Sequence, residues 1–194
     1  MTLPNFIVAG ASKAGTEWLK RCLDEHPDIF MGGVGNFFDH HYDRGQAWYE
    51  AGFQDHDGET ARGEKSTTYL INPNVPERIY GCVPGVQLLF ALREPIERAY
   101  SHYKMNLRAS QVSSDVEAEL SPGKALVEEG RYREQLKRFE AYFPPERLKV
   151  MLYDGLQADP EKFLEEAFDF LEVAPGFRPS LLHEHFHVTK GRPR

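Results

Sequence analysis

The sequence predicts an α/β fold, with a central, mainly parallel sheet covered by helices on both faces. Three observations predict it. Short apolar runs alternate with amphipathic helical patterns along the chain, the order that favours parallel strands joined by crossover helices. The two clearest runs, Phe6-Ile7-Val8-Ala9 and Val86 to Leu92, are apolar without alternation, as in strands buried on both faces. The length of 194 residues suits one domain with one core, here spanning 1–194.

The elements follow in order. After Phe6–Ala9 comes the turn Gly10-Ala11-Ser12-Lys13-Ala14-Gly15, then a helix with Trp18, Leu19, Cys22 and Leu23 on one face. His26-Pro27 ends it, because the residue before proline disfavours the helical region. Ile29-Phe30-Met31 reads as a short strand and Gly32-Gly33-Val34-Gly35 as a flexible loop. Residues 36–60 lack a clear period, with a short helix at Trp48, Tyr49 and Phe53. Glu64-Lys65 reads as a turn leading to Tyr69-Leu70-Ile71, which Asn72-Pro73 breaks. Pro95 suits the first turn of a helix, where its missing N–H costs nothing, and that helix runs to about Leu107. Residues 110–130 are polar and acidic and read as a mobile excursion. Tyr132, Leu136 and Phe139 share one helical face until Pro144-Pro145, and Leu148 to Tyr153 forms another strand. Asp159-Pro160 starts a helix that buries Phe163, Leu164, Ala167, Phe168 and Leu171, and the tail from Ala174 has no period.

Composition narrows the classes. With 41% hydrophobic and 27% charged residues, the chain is neither disordered nor fibrous. No apolar run approaches the ~18–20 residues that span a bilayer. Met1-Thr2-Leu3-Pro4-Asn5 has no basic n-region, so the expectation is a cytoplasmic protein without a secretory signal. The net charge of −7 argues against nucleic acid as partner, but allows a small anion in a local basic pocket. Cys22 and Cys82 are too few for a disulfide framework and lack zinc-ligand spacing. His183, His185 and His187 are closely spaced but suggest metal only by composition, and no metal site is expected.

The turn Gly10–Gly15 carries the first chemistry. Small residues before a helix aim several backbone N–H groups at one point, and the helix dipole adds positive potential. Lys13 in the turn and Thr16 at the helix start complete a phosphate cradle. A nucleotide-triphosphatase loop needs Ser or Thr directly after its lysine to hold magnesium. Ala14 stands there, which counts against the alternative of an ATP-dependent kinase. In an open α/β sheet, ligands bind beyond the carboxyl ends of the strands. That edge would gather this turn, Glu64-Lys65 and Arg93. The segment Arg93-Glu94-Pro95-Ile96-Glu97-Arg98-Ala99-Tyr100-Ser101-His102-Tyr103 suits a terminal phosphate dianion. Arg93 offers a planar fork to two oxygens and Ser101, about two turns into a helix, a hydroxyl. Arg98 is expected in an ion pair with Glu94 or Glu97.

These stretches resemble the PAPS-dependent sulfotransferases, where PAPS is 3′-phosphoadenosine-5′-phosphosulfate. Lys13-Ala14-Gly15-Thr16-Glu17-Trp18 resembles the family's 5′-phosphosulfate loop, with Glu17 where Thr or Arg is common. The Arg93–Ser101 segment resembles its 3′-phosphate motif. Phe37-Phe38-Asp39 with Trp48-Tyr49, Gly63-Glu64-Lys65-Ser66-Thr67-Thr68-Tyr69, and Val75-Pro76-Glu77-Arg78-Ile79-Tyr80 resemble its heparan-sulfate, glycan-modifying branch. Lys190-Gly191-Arg192 resembles the late loop that closes over PAPS. The resemblance implies a P-loop-like three-layer α/β/α domain and transfer of a sulfuryl group from PAPS to an acceptor hydroxyl or amine, leaving PAP. No metal is required by that scheme. It implies donor contacts from Lys13, Ala14, Gly15, Thr16, Glu17, Trp18, Arg93, Ser101, Lys190, Gly191 and Arg192. Lys13 would stabilise the leaving oxygen and Lys65 the sulfuryl oxygens or the acceptor. A glutamate three residues before Phe-Phe-Asp serves as base in that branch, and Val34 stands at this position. Asp39, His40 and His41 are the remaining candidates. Val34 also keeps open a non-catalytic module that binds the nucleotide. The acceptor is a sugar, a small natural product or another compact molecule.

Overall fold

The computed structural model describes residues 3–183. Its elements are β1 (Phe6–Val8), α1 (Thr16–Asp24), β2 (Ile29–Met31), α2 (Phe37–His40), α3 (Gln46–Ala51), β3 (Ala61–Lys65), α4 (Val75–Cys82), β4 (Gln87–Leu92), α5 (Pro95–Arg108), α6 (Val116–Glu119), α7 (Ala125–Glu128), α8 (Tyr132–Glu140), β5 (Leu148–Leu152), α9 (Tyr153–Ala158) and α10 (Pro160–Leu171). The five strands form one sheet in the order β2-β3-β1-β4-β5, and every ladder is parallel. The central strand β1 pairs Phe6 with Gly63 on one side and with Gln87 on the other.

Alternation along β1 builds the two faces. Ile7 points into one apolar cluster with Phe37, Phe38, Tyr49, Phe53, Ile79 and Phe139, from the α2, α3, α4 and α8 side. Phe6 and Val8 point into the other, with Trp18, Leu19, Phe163, Leu164 and Phe168 from α1 and α10. Each fully buried side chain of this size contributes about 1.5–3 kcal/mol of transfer free energy. The expected α/β/α layering is therefore present. α10 starts as expected, with Asp159 accepting from the Lys162 N–H at 3.0 Å and Pro160 in the first turn. Among the described residues, no helix is long and apolar enough to cross a membrane.

Four features depart from the sequence expectation. Glu64 and Lys65 close strand β3 instead of forming a turn. That strand needs Gly63, since a Cβ there would lie 2.2 Å from the Phe6 ring. Helices α2, α4 and α9 are additional. Arg98 pairs with neither Glu94 nor Glu97. Glu94 instead caps α5 by accepting from the Glu97 N–H at 2.7 Å, and Glu97 binds Arg93. Arg98 is 1% exposed and donates to Glu129 at 3.0 Å and to the Leu126 carbonyl. These contacts dock the 110–130 segment, which carries α6 and α7 and buries Leu126, against α5.

Candidate active site

The carboxyl ends of β1, β3, β4 and β5 bring the candidate residues to one edge of the sheet. β1 runs into the Gly10–Gly15 turn, β3 ends at Lys65, β4 at Leu92 before Arg93, and β5 at Leu152 before Tyr153. The turn uses left-handed backbone at Gly10 (φ 137°), Lys13 (φ 71°) and Gly15 (φ 85°). Gly15 has a second constraint, because a Cβ there would lie 2.7 Å from Leu156 and 3.2 Å from the Tyr153 ring. Ala14 and Thr16 are buried beneath the loop. Trp18 faces the core and donates to the Leu181 carbonyl at 3.2 Å.

Lys13 reaches across to α5, its Nζ 3.6 Å from Met105 Sδ. Burial lowers its pKa, and the charges of Arg93, Arg108 and Lys104 lower it further. Four cations thus bear on one small-residue turn at a helix N-terminus, an arrangement that a multivalent anion would relieve. Arg93 is held by Glu97 at 2.9 Å and lies over the Tyr153 ring at 4.6 Å. The Tyr132 hydroxyl fixes its backbone by donating to the Arg93 carbonyl at 2.9 Å. Ser101 stands seven residues into α5, half-buried.

Glu17 has an assigned partner. Its carboxylate accepts from Lys65 Nζ at 2.7 Å and from Arg21 Nε at 3.3 Å. The Lys65 hydrogen bond is the main cause of a pKa below the usual carboxylate range. Lys65 and Glu64 leave opposite faces of β3, as strand alternation requires. Lys65 therefore meets α1, whereas Glu64 enters the core on the α2 and α3 side.

Asp39 stands on α2 with a side chain 2% exposed. One carboxylate oxygen accepts from Thr68 Oγ1, and the other, Oδ1, is buried without a protein partner. His40 lies 3.7 Å from Asp39 and is exposed. His41 packs edge-on against Trp48 at 5.4 Å. Val34 is 46% exposed on the loop above. Glu64 is wholly buried, and its Oε1 accepts from the Tyr49 hydroxyl at 2.6 Å and the Tyr69 hydroxyl at 3.0 Å. Burial is the main cause that raises its pKa to about 7.

The raised Glu64 pKa fixes the sign of a pH effect. Between about pH 4.5 and 7 the folded chain holds a proton that the unfolded chain has released. Stability is therefore fullest below that window and falls as pH rises through it, by about 3 kcal/mol for this one group. Urea titrations across the window should show the slope in the wild type and a flatter one in Glu64→Gln.

Sequence reasoning missed Tyr153, Met105, Lys104 and Arg108, and gave Tyr49, Thr68 and Tyr69 no role although they lie in stretches that resemble the family. Of the missed residues, Tyr153 carried a signal, standing directly after a strand at the ligand-binding edge. Lys190, Gly191, Arg192, His185 and His187 lie outside the described residues. Among those described, no group of His, Cys, Asp and Glu could hold a metal ion.

With this geometry in place, comparisons with known proteins become informative. The sulfotransferase domain family matches residues 3–193. Mouse heparan sulfate glucosamine 3-O-sulfotransferase 6 is 30% identical over 202 residues, covering 98% of this chain and 58% of the relative. Human heparan sulfate glucosamine 3-O-sulfotransferase 5 is 30% identical over 204 residues, covering 97% and 58%. The chain thus spans less than two thirds of the length of these curated relatives. The crystal structure of a sulfotransferase from Alicyclobacillus acidocaldarius superposes with a TM-score of 0.86 at 28% identity, over 97% of this chain and 88% of that one. Mouse sulfotransferase SULT7A1, solved with PAP, shares the fold with a TM-score of 0.62 at 17% identity, over 89% and 60%.

Proposed function

The chain belongs to the sulfotransferase domain family, and from that premise we propose that it moves a sulfuryl group from PAPS to the hydroxyl of a compact, uncharged acceptor such as a sugar. The observation that carries the reading is that Lys13, in the left-handed turn after β1, and Arg93, directly after β4, stand at one edge of the sheet, Lys13 reaching α5 at 3.6 Å and Arg93 lying over Tyr153 at 4.6 Å. The turn can take this close-packed shape only with glycine at both ends, since a Cβ at Gly10 would lie 2.8 Å from Leu70 and one at Gly15 2.7 Å from Leu156, and a turn so held before a helix suits the donor's 5′-phosphate. When bound, PAPS supplies the activated sulfuryl group and, as PAP, the leaving nucleotide.

The chain's own residues supply position and charge. The loop N–H groups and Lys13 hold the 5′ end, with Lys13 neutralising charge on the bridging oxygen as the S–O bond breaks. Arg93 and Ser101 hold the 3′-phosphate, and the Tyr153 ring beside Arg93 offers a stacking face to the adenine. Lys65 faces the sulfuryl oxygens after exchanging its Glu17 contact. Of the three base candidates, Asp39 is the one proposed to take the acceptor proton as the new S–O bond forms; Thr68 fixes its carboxylate, exposed His40 lies 3.7 Å from it, and His41 packs on Trp48. Lys190, Gly191 and Arg192 complete the reading as a closing clamp.

The curated relatives are named for heparan sulfate glucosamine, a polyanionic chain. Here Glu17 accepts from Lys65 at 2.7 Å, and the chain carries a net charge of −7. A neutral hydroxyl meets less repulsion there than a sulfated one. Calorimetry with PAP tests the donor half of the proposal. The wild type should bind, and Arg93→Ala should weaken binding about 30–100-fold, the loss typical of truncating one partner of a charge-assisted pair. No heat of PAP binding by the wild type would overturn the proposal. Transfer from labelled PAPS to a panel of neutral and sulfated sugars tests the acceptor half.

A further inference from the structure

Among the described residues, the buried Glu64 carboxyl is a strongly perturbed acid that the proposed transfer leaves unused. Its surroundings tie it to Asp39 by several contacts. Tyr69, whose hydroxyl donates to Glu64, accepts the Phe38 N–H at 3.1 Å inside α2, one residue before Asp39. Thr68, beside Tyr69, donates to Asp39 Oδ2. Ser66, two residues after Glu64, accepts the Asn36 N–H at 3.1 Å at the start of α2. The exit of β3 thus grips α2 at successive points. Glu64 Oε2 and Asp39 Oδ1 are both buried without a protein partner. The Gly32–Gly35 loop closes over the same carboxyl, since a Cβ at Gly33 would lie 3.5 Å from Glu64 Oε2.

We propose that Glu64 is a positioning residue for the transfer: through the Tyr69 hydroxyl it holds the α2 turn that presents Asp39. The inference rests on the sulfuryl-transfer reading for its purpose, though not for its geometry. The titratable groups around the pair are Tyr49 from α3, Tyr69 after β3, Cys82 from α4, and His40 beside Asp39. Burial first, and then Glu64 itself, raise both tyrosines and Cys82 well above neutrality, so they keep their protons while Glu64 titrates.

Carboxyl 13C NMR of the full chain over a pH series tests this in the wild type, Glu64→Gln and Tyr69→Phe. In the wild type, Glu64 should titrate at about pH 7, and the Phe38 amide shift, followed in the same series, should show an inflection there because its N–H bonds the Tyr69 hydroxyl that donates to Glu64. Glu64→Gln should abolish that inflection while the PAP dissociation constant changes less than about threefold. Tyr69→Phe should move the Glu64 titration upward, because a hydrogen bond that favours the charged form is gone. It also serves as the test should Glu64→Gln not fold. Superimposable Phe38 amide curves in wild type and Glu64→Gln, or an unmoved Glu64 curve in Tyr69→Phe, would overturn the inference. Failure of the wild type to bind PAP would instead remove the sulfuryl-transfer reading and leave the titrations to be judged on their own.

Discussion

Lys13→Ala should lower turnover about 10²–10³-fold, the usual loss when one preorganised group facing a developing oxyanion is removed. The argument is electrostatic. Sulfuryl transfer places charge on the bridging oxygen of the departing nucleotide, and Lys13 is the cation fixed in the loop beneath it. Its backbone is set by a left-handed turn and its stem lies along α5, so little reorganisation is needed when charge appears. The ammonium is already crowded by Arg93, Arg108 and Lys104. Removing it therefore relieves repulsion in the resting protein, and the thermal midpoint should hold or rise. Single-turnover rates with labelled PAPS, read beside a melting curve, check both halves. A variant that melts early, or one that turns over at the wild-type rate, would each contradict the role.

Arg98→Ala should destabilise the fold by about 3–5 kcal/mol, the range for removing one member of a buried ion pair. For a chain of this size that is a fall of roughly 10 °C in melting temperature. The guanidinium is 1% exposed and answers two acceptors, Glu129 at 3.0 Å and the Leu126 carbonyl. Its loss leaves the Leu126 carbonyl without this donor and Glu129 with His102 alone, which sits 3.0 Å from the carboxylate. A double-mutant cycle with Glu129→Gln should recover part of the loss, since the second change removes the stranded charge. Exchange at the amides of α7 should rise before that of the sheet, because this pair docks the segment. A loss below about 1 kcal/mol would mean that Arg98 behaves as a surface charge.

The parts of the fold that show in the sequence are those where local chemistry and tertiary structure agree. Phe6–Val8 and Gln87–Leu92 are apolar because both faces are covered, and Asp159-Pro160 starts α10 by the same capping that marks it in sequence. Strand β3 is opaque for the opposite reason. Ala-Arg-Gly-Glu-Lys has no apolar pattern, and its last three residues answer partners outside the strand: Gly63 admits the Phe6 ring, Glu64 meets Tyr49 and Tyr69, and Lys65 meets Glu17. At the site, Lys13 and Arg93 were legible from their place after strands. The partner of Glu17 was not, because 48 residues separate it from Lys65. Nor was the true partner of Arg98, which lies in a polar segment with little period of its own.

The place of β1 in the sheet also bears on how the chain reaches this structure. Phe6–Val8 lies between β3 and β4, yet its partners stand about 60 and 80 residues later, at Gly63–Lys65 and Gln87–Leu89. The middle strand is therefore made first on the ribosome and must wait for both neighbours, an apolar segment with two open edges in the interval. Pairings this distant carry loop-closure entropy before they return any contact, so the rate-limiting step should be the entry of β1 between its neighbours. During synthesis the same strand is the segment most in need of a chaperone's cover.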